Sequence, residues 1–152
     1  DLDSRIPDSA PVKFVTSCPV CGAELRRIDG EAAWFCPNKY ECTPQITGKI
    51  EHFVGRHMMN IDGIGEEVAQ LLYTSGLVKN IADLYDLTEE KLMMLDRFKE
   101  KSARRIINGI EDSKKVPFER VIFALSIPFV GETTAKVLAG AAHNIDTLTP
   151  PL

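Results

Sequence analysis

From about residue 44 onward, apolar residues recur every three to four positions, the spacing that gathers them on one side of a helix. Ile46, Ile50, Phe53 and Val54 form the first such stripe. Pro44 suits the first helical position and Thr43 the cap before it, which sets the predicted start. Further helices are predicted at about 66–75, 88–96, 100–113, 117–125 and 132–142. Acidic first turns (Glu66-Glu67 and Glu89-Glu90) and the cap residue Thr88 support several of them. Before residue 44 the character differs. Residues 1–17 carry Pro7 and Pro11 without a helical period and read as an extended connector from an upstream domain. Residues 18–43 hold all four cysteines, the only Trp and the one convincing strand alternation, at residues 32–35. The expected fold is mainly α: a small four-cysteine module at 18–43, then a helical domain at 44–152.

The helical part repeats itself with a period of 32 to 34 residues, from Ile61 to Leu95 to Ile127. One copy reads Ile61-Asp62-Gly63-Ile64-Gly65 and continues to Ala69; the second runs from Leu95 through Phe98 and Lys99 to Ala103. The third runs from Ile127 through Val130 and Gly131 to Ala135. Each copy has an apolar anchor, an apolar plug three residues on, a turn residue, and a small alanine inside the next helix. Two helices joined so tightly need a turn residue that accepts unusual dihedrals or close backbone approach, which favours glycine. Ile64, Phe98 and Val130 would fill the space between paired helices, and the alanines would let them pack closely. The reading is of tandem helix–hairpin–helix repeats, three of them. Such hairpins aim unpaired backbone N–H groups at solvent from a helix start, a ready phosphate site.

Charge changes the picture only locally. With a net charge of −4 and a pI near 5.4, the chain has no global attraction to nucleic acid. Any DNA contact must come from aimed groups: Gly63, Gly65 and Gly131 at the turns, Lys99, Lys101, Arg104 and Arg105 around the second, and Lys136 after the third. Such contacts would ignore base sequence. At 152 residues and 44% hydrophobic, the chain can bury one ordinary core with a satellite module. No apolar run is long enough to span a membrane, and no secretion signal is visible. Asp1 at the start and Pro150-Pro151-Leu152 at the end read as the borders of a piece of a longer protein.

The cysteines are spaced Cys18-x2-Cys21, then fourteen residues, then Cys36-x5-Cys42. Two close pairs separated by a hairpin-sized insert allow four thiolates to converge on one Zn2+ ion, with Pro19 and Gly22 tightening the first turn. Four protein ligands leave no open position, so the metal would be structural. The competing reading is four ordinary buried or disulfide-forming cysteines. Trp34 and Phe35 read as a small hydrophobic platform that packs the module against its neighbour, in preference to base-stacking residues, and Arg26, Arg27 and Lys39 as a solvated face. His52, His57 and His143 pair with no cysteine or carboxylate in a catalytic spacing, and no catalytic residue is assigned.

Several stretches together resemble the bacterial NAD-dependent DNA ligases. These are Cys18-Pro19-Val20-Cys21-Gly22, Cys36-Pro37-Asn38, Cys42, His52-Phe53-Val54-Gly55-Arg56, Ile61-Asp62-Gly63-Ile64-Gly65 and Ala82-Asp83-Leu84-Tyr85. Lys101-Ser102-Ala103, Ser113-Lys114 and the run from Val130 to Lys136 continue that family's order, from about residue 18 to 148. Departures are Lys99 and Ser126 where the family usually has Gly, Thr43 for Pro, and Gly55 for Ser. His57 and Asn60 also stand where other residues are frequent.

The resemblance implies an enzyme that uses NAD+ and Mg2+ to seal nicks in duplex DNA during replication and repair, in the bacterial cytoplasm near the nucleoid. It also implies upstream adenylation and OB domains and a downstream domain in the same polypeptide, with a fourth hairpin beyond the three seen here. The family's nucleophilic lysine lies in a Lys-x-Asp-Gly motif. Here Asp29-Gly30 and Asp62-Gly63 are preceded two residues earlier by Arg27 and Asn60. The expectation is therefore an inactive, monomeric fragment that binds neither NAD+ nor Mg2+ and contacts nicked double-stranded DNA. Two other parents fit the same residues less fully: a repair nuclease or recombination subunit carrying both modules, and a protein scaffold whose hairpins only pack helices.

Overall fold

The computed structural model describes residues 13–148. Residues 1–12 of the predicted connector and the last four residues of the predicted helical domain lie outside the described residues. The chain divides into two compact units, with the border between Cys42 and Thr43.

In the first unit, Gly22 adopts φ +73° and closes a tight turn, its N–H donating to the Cys18 carbonyl at 2.9 Å. A bridge between Ser17 and Glu24 leads into β1 (Arg26–Arg27), which pairs antiparallel with β2 (Trp34–Phe35). The register sets Arg26 opposite Phe35 and Arg27 opposite Trp34. Gly30, at φ +88°, follows Asp29 in the connection. The strand expected over 32–35 is thus shorter, two residues. Within this unit Trp34 is 51% and Phe35 42% exposed. Among residues 13–42 only Cys18 and Cys42 are buried. Among its described residues this unit has no apolar core.

The second unit is helical throughout. Its elements are α1 (Thr43–Val54), α2 (Glu66–Thr74), a 3-10 helix (Ile81–Asp86), α3 (Glu89–Met93), α4 (Glu100–Ser113), α5 (Phe118–Ala124), α6 (Glu132–Ala142) and α7 (Ile145–Leu148). The first stripe buries all four of its members, Ile46, Ile50, Phe53 and Val54. They join Leu72, Leu84, Leu92, Phe98, Ile106 and Ile110 in one cluster. On α4 the buried positions are Ala103, Ile106, Ile110 and Ser113, the three-to-four spacing of one helical face. Ser113 satisfies its hydroxyl by donating to the Ile110 carbonyl at 2.6 Å and meeting the Tyr85 hydroxyl at 3.1 Å.

Two differences from the sequence expectation have local causes. The helix expected over 88–96 stops at Met93, because the chain turns there to enter the second hairpin; the Leu95 N–H already returns to the Leu92 carbonyl. Ile81–Asp86 forms a 3-10 helix that the apolar period does not reveal. Its signal is a reciprocal cap: Asn80 accepts from the Ala82 N–H at 2.8 Å, and Asp83 accepts from the Asn80 N–H at 3.2 Å. The last hairpin is packed most thinly. α6 buries Ala135 and Ala142 alone, and α7 buries nothing.

Candidate metal centre and nucleic-acid interface

The four cysteine sulfurs lie within 4.8 Å of one another. Cys21 and Cys36 are 3.5 Å apart and Cys18 and Cys42 3.9 Å, with no disulfide among them. Four thiolates at about 2.3 Å from a tetrahedral zinc would be about 3.8 Å from each other, so the donor set fits that ion. The first turn also prepares a thiolate. Backbone N–H groups of Cys21, and then of Val20, hold the Cys18 thiol down at about 6. Burial, the largest influence at Cys36, pushes that thiol up.

The three predicted hairpins have a shared geometry at the point where the second helix of each begins. Gly65, Lys99 and Gly131 precede α2, α4 and α6 in extended conformation, at φ −104°, −111° and −84°. The first intrahelical bonds run from Ala69 to the Gly65 carbonyl, from Ala103 to that of Lys99, and from Ala135 to that of Gly131. The three amides before each of those have no acceptor within the helix, and no cap side chain supplies one. The small alanines serve as expected: Ala69, Ala103 and Ala135 are fully buried. Of the plugs, Ile64 and Phe98 are buried and Val130 half-buried.

This geometry separates the two demands that favour glycine at a turn. Unusual dihedrals are needed at Gly63, where φ is +95°, and not at Gly65 or Gly131. For the same reason, Lys99 in place of glycine leaves the second hairpin's cap conformation intact. The Ser102 hydroxyl accepts from the Lys99 N–H at 3.0 Å and donates to its carbonyl at 2.8 Å. The first and third hairpins share a further feature that the second lacks. Asn60 and Ser126 both sit near φ +53°, at 54° and 52°, and Gly63 and Phe129 follow three residues later at +95° and +65°.

The predicted cations are exposed but largely paired. Arg104 binds Glu100 at 2.8 Å and Glu89 at 3.4 Å, Arg105 reaches Asp62 at 3.1 Å, and Lys136 binds Glu132 at 2.8 Å. Arg97, beside the second turn, holds Glu67 at 2.8 Å. Lys99 and Lys101 make no ion pair among the described residues. The Glu132 carboxyl is held below its ordinary value by its hydrogen bond from Lys136, and Lys136 is raised by the same bond. Sequence reasoning missed Arg56 and Arg120, which are 64 residues apart in the chain. Arg120 donates to the Arg56 carbonyl at 2.6 Å. His52 lies 3.2 Å from the Phe123 carbonyl through Nε2 and meets the Phe123 ring edge-on.

Three family matches follow one another along the chain. Residues 17–43 match the family described as NAD-dependent DNA ligase C4 zinc finger domain. Residues 55–112 match the SAM-like helix-hairpin-helix tandem, and residues 120–150 the helix-hairpin-helix motif. A protein named DNA ligase from Cytophaga hutchinsonii is 53% identical over 148 residues, which is 97% of this chain and 22% of that protein. DNA ligases of Phocaeicola vulgatus and Bacteroides fragilis are also 53% identical over the same shares. The chain therefore spans about a fifth of the length of the curated relatives it matches, 22%. Cysteine spacing, converging sulfurs, repeated hairpins and family matches agree: over nearly its whole length the chain is similar to the C4 zinc-finger and helix–hairpin–helix region of NAD-dependent DNA ligases.

Proposed function

We propose that this chain is a DNA-gripping, non-catalytic part of an NAD-dependent DNA ligase, and that it holds the phosphate backbone of nicked duplex DNA without regard to base sequence. The observation that carries the reading is the pair Gly65 and Gly131. Neither needs glycine for its dihedrals, and a Cβ built on either meets no atom within 4 Å. Nothing among the described residues asks for glycine there, and the space beside each helix start is open to an outside group. A phosphate approaching uncapped helix amides needs the room a side chain would occupy. Gly63, Lys99, Lys101, Arg104, Arg105 and Lys136 surround those starts and would orient or steady the backbone.

Cys18, Cys21, Cys36 and Cys42 would hold one Zn2+ as a closed, structural site. Adenylation with NAD+ and Mg2+, the OB and adenylation domains, and a downstream domain belong to the remainder of the polypeptide in this proposal. The chain itself would be a monomer without ligase activity, working in the bacterial cytoplasm. Among the described residues no helix is long and apolar enough to cross a membrane.

The test is fluorescence anisotropy with a labelled nicked duplex at several salt concentrations, beside a duplex of unrelated sequence. Wild type should bind both equally, with log affinity falling against log salt by about 0.9 per phosphate neutralised. Gly65→Ala and Gly131→Ala should each weaken binding about ten-fold, while unfolding shifts by less than about 1 kcal/mol. Unchanged binding in both variants would refute the hairpin mechanism.

A further inference from the structure

A cavity of about 240 Å³ opens in the helical unit between the loop after α1 and the third hairpin. Arg56, His57, Glu119, Arg120, Glu132 and Lys136 line it. Charge inside it is unevenly matched. Lys136 and Glu132 bind each other at 2.8 Å, and Glu119 also acts on Lys136. Neither Arg56 nor Arg120 has a carboxylate within ion-pairing distance among the described residues. Two guanidinium-bearing residues are nonetheless tied together, by the bond from Arg120 to the Arg56 carbonyl. The Nε of Arg120 is buried and has no hydrogen-bond partner. A buried donor without an acceptor is destabilising unless something fills the place. Two arginines without carboxylate partners beside a half-enclosed space, with a donor of one of them unmet, describe a place for an anion.

We propose that this cavity is a phosphate-binding pocket, with the Arg56 and Arg120 guanidinium groups as its principal ligands and His57 and Lys136 at its rim. Guanidinium groups suit the oxyanion because their planar N–H forks match two oxygens at once. The pocket is separate in kind from the hairpin amides, since side-chain cations form it. A DNA backbone phosphate as the occupant rests on the reading in the preceding subsection; a free phosphate ion has the same chemistry.

The test uses the whole chain and two probes. In the first arm, inorganic phosphate is titrated at constant ionic strength, with the Arg120 Nε–Hε and His57 ring signals followed by NMR. Both should move saturably, and Arg56→Gln should weaken the response about ten-fold. Signals that stay put in wild type would overturn the pocket. In the second arm, Arg56→Gln and Arg120→Lys are titrated into the labelled nicked duplex. Losses of about ten-fold in each would identify the DNA backbone as a source of the phosphate. Wild-type affinity in both variants would overturn that source, while the hairpin reading stood on Gly65 and Gly131. If wild type bound no duplex, the DNA reading would fall, and the phosphate arm alone would decide the pocket. Arg56 is exposed, so its variant should fold and keep the test decisive.

Discussion

Glu132 and Lys136 stand one turn apart at the start of α6, joined at 2.8 Å. The carboxylate complements the positive end of the helix and the ammonium complements the carboxylate. A lowered carboxyl value means that ionised Glu132 favours the folded state. That contribution is fully present above the ordinary value of 4.5 and is lost as pH falls through the lowered one. For Lys136 the sign is opposite: the contribution is present below its ordinary 10.5 and lost as pH rises through the raised value. Lys136→Ala should return the Glu132 carboxyl toward the ordinary range, read from its side-chain carbon shift across an acid titration. A midpoint that does not move would show that the helix start, and not Lys136, holds it down.

At the scale of elements, the three hairpins divide into two kinds. The first and third each contain two residues in the left-handed region, and the second is built without them. In the first hairpin glycine occupies the second of these positions; in the third it is Phe129, 89% exposed at φ +65°. A bulky residue there is strained, and its ring packs on little that would compensate. Phe129→Gly should therefore stabilise the helical unit, by up to about 1 kcal/mol after the added freedom of the unfolded chain is counted. Urea unfolding measures this, and a lower midpoint in the variant would contradict the strain. The lysine that ends the second hairpin meets no such requirement, because the position it shares with Gly65 and Gly131 is extended in all three.

The whole molecule joins a unit with an apolar core to one whose described residues form none. In the first unit the buried residues among 13–42 are two of the four cysteines, so a metal would have to supply what packing does not. Chelation should collapse the chemical-shift dispersion of residues 18–42 and leave the helical amides in place. Dispersion that survives would mean that the hairpin of β1 and β2 holds itself together. The contrast also explains what could be read from the chain in advance. Cysteine spacing, the buried alanines at 69, 103 and 135, and the stripe on α1 are local patterns with a fixed period. The 3-10 helix at Ile81–Asp86 is too short to show one. The meeting of Arg56 with Arg120, and of Arg105 with Asp62, depends on how helices dock, which no local spacing encodes.

The ion pairs around the hairpins give the chain an unusual relation to dissolved salt. Arg97, Arg104, Arg105 and Lys136 each arrive with a carboxylate already attached. A phosphate that takes one of these cations sets free a protein carboxylate, which then recruits sodium or potassium from solution. Part of the cation release from DNA is cancelled by that uptake, and contacts through neutral amides release none. The chain would thus exchange one counter-anion for another inside its own surface. The DNA contact proposed for it should soften with ionic strength more gently than the number of basic residues around the hairpins would lead one to expect.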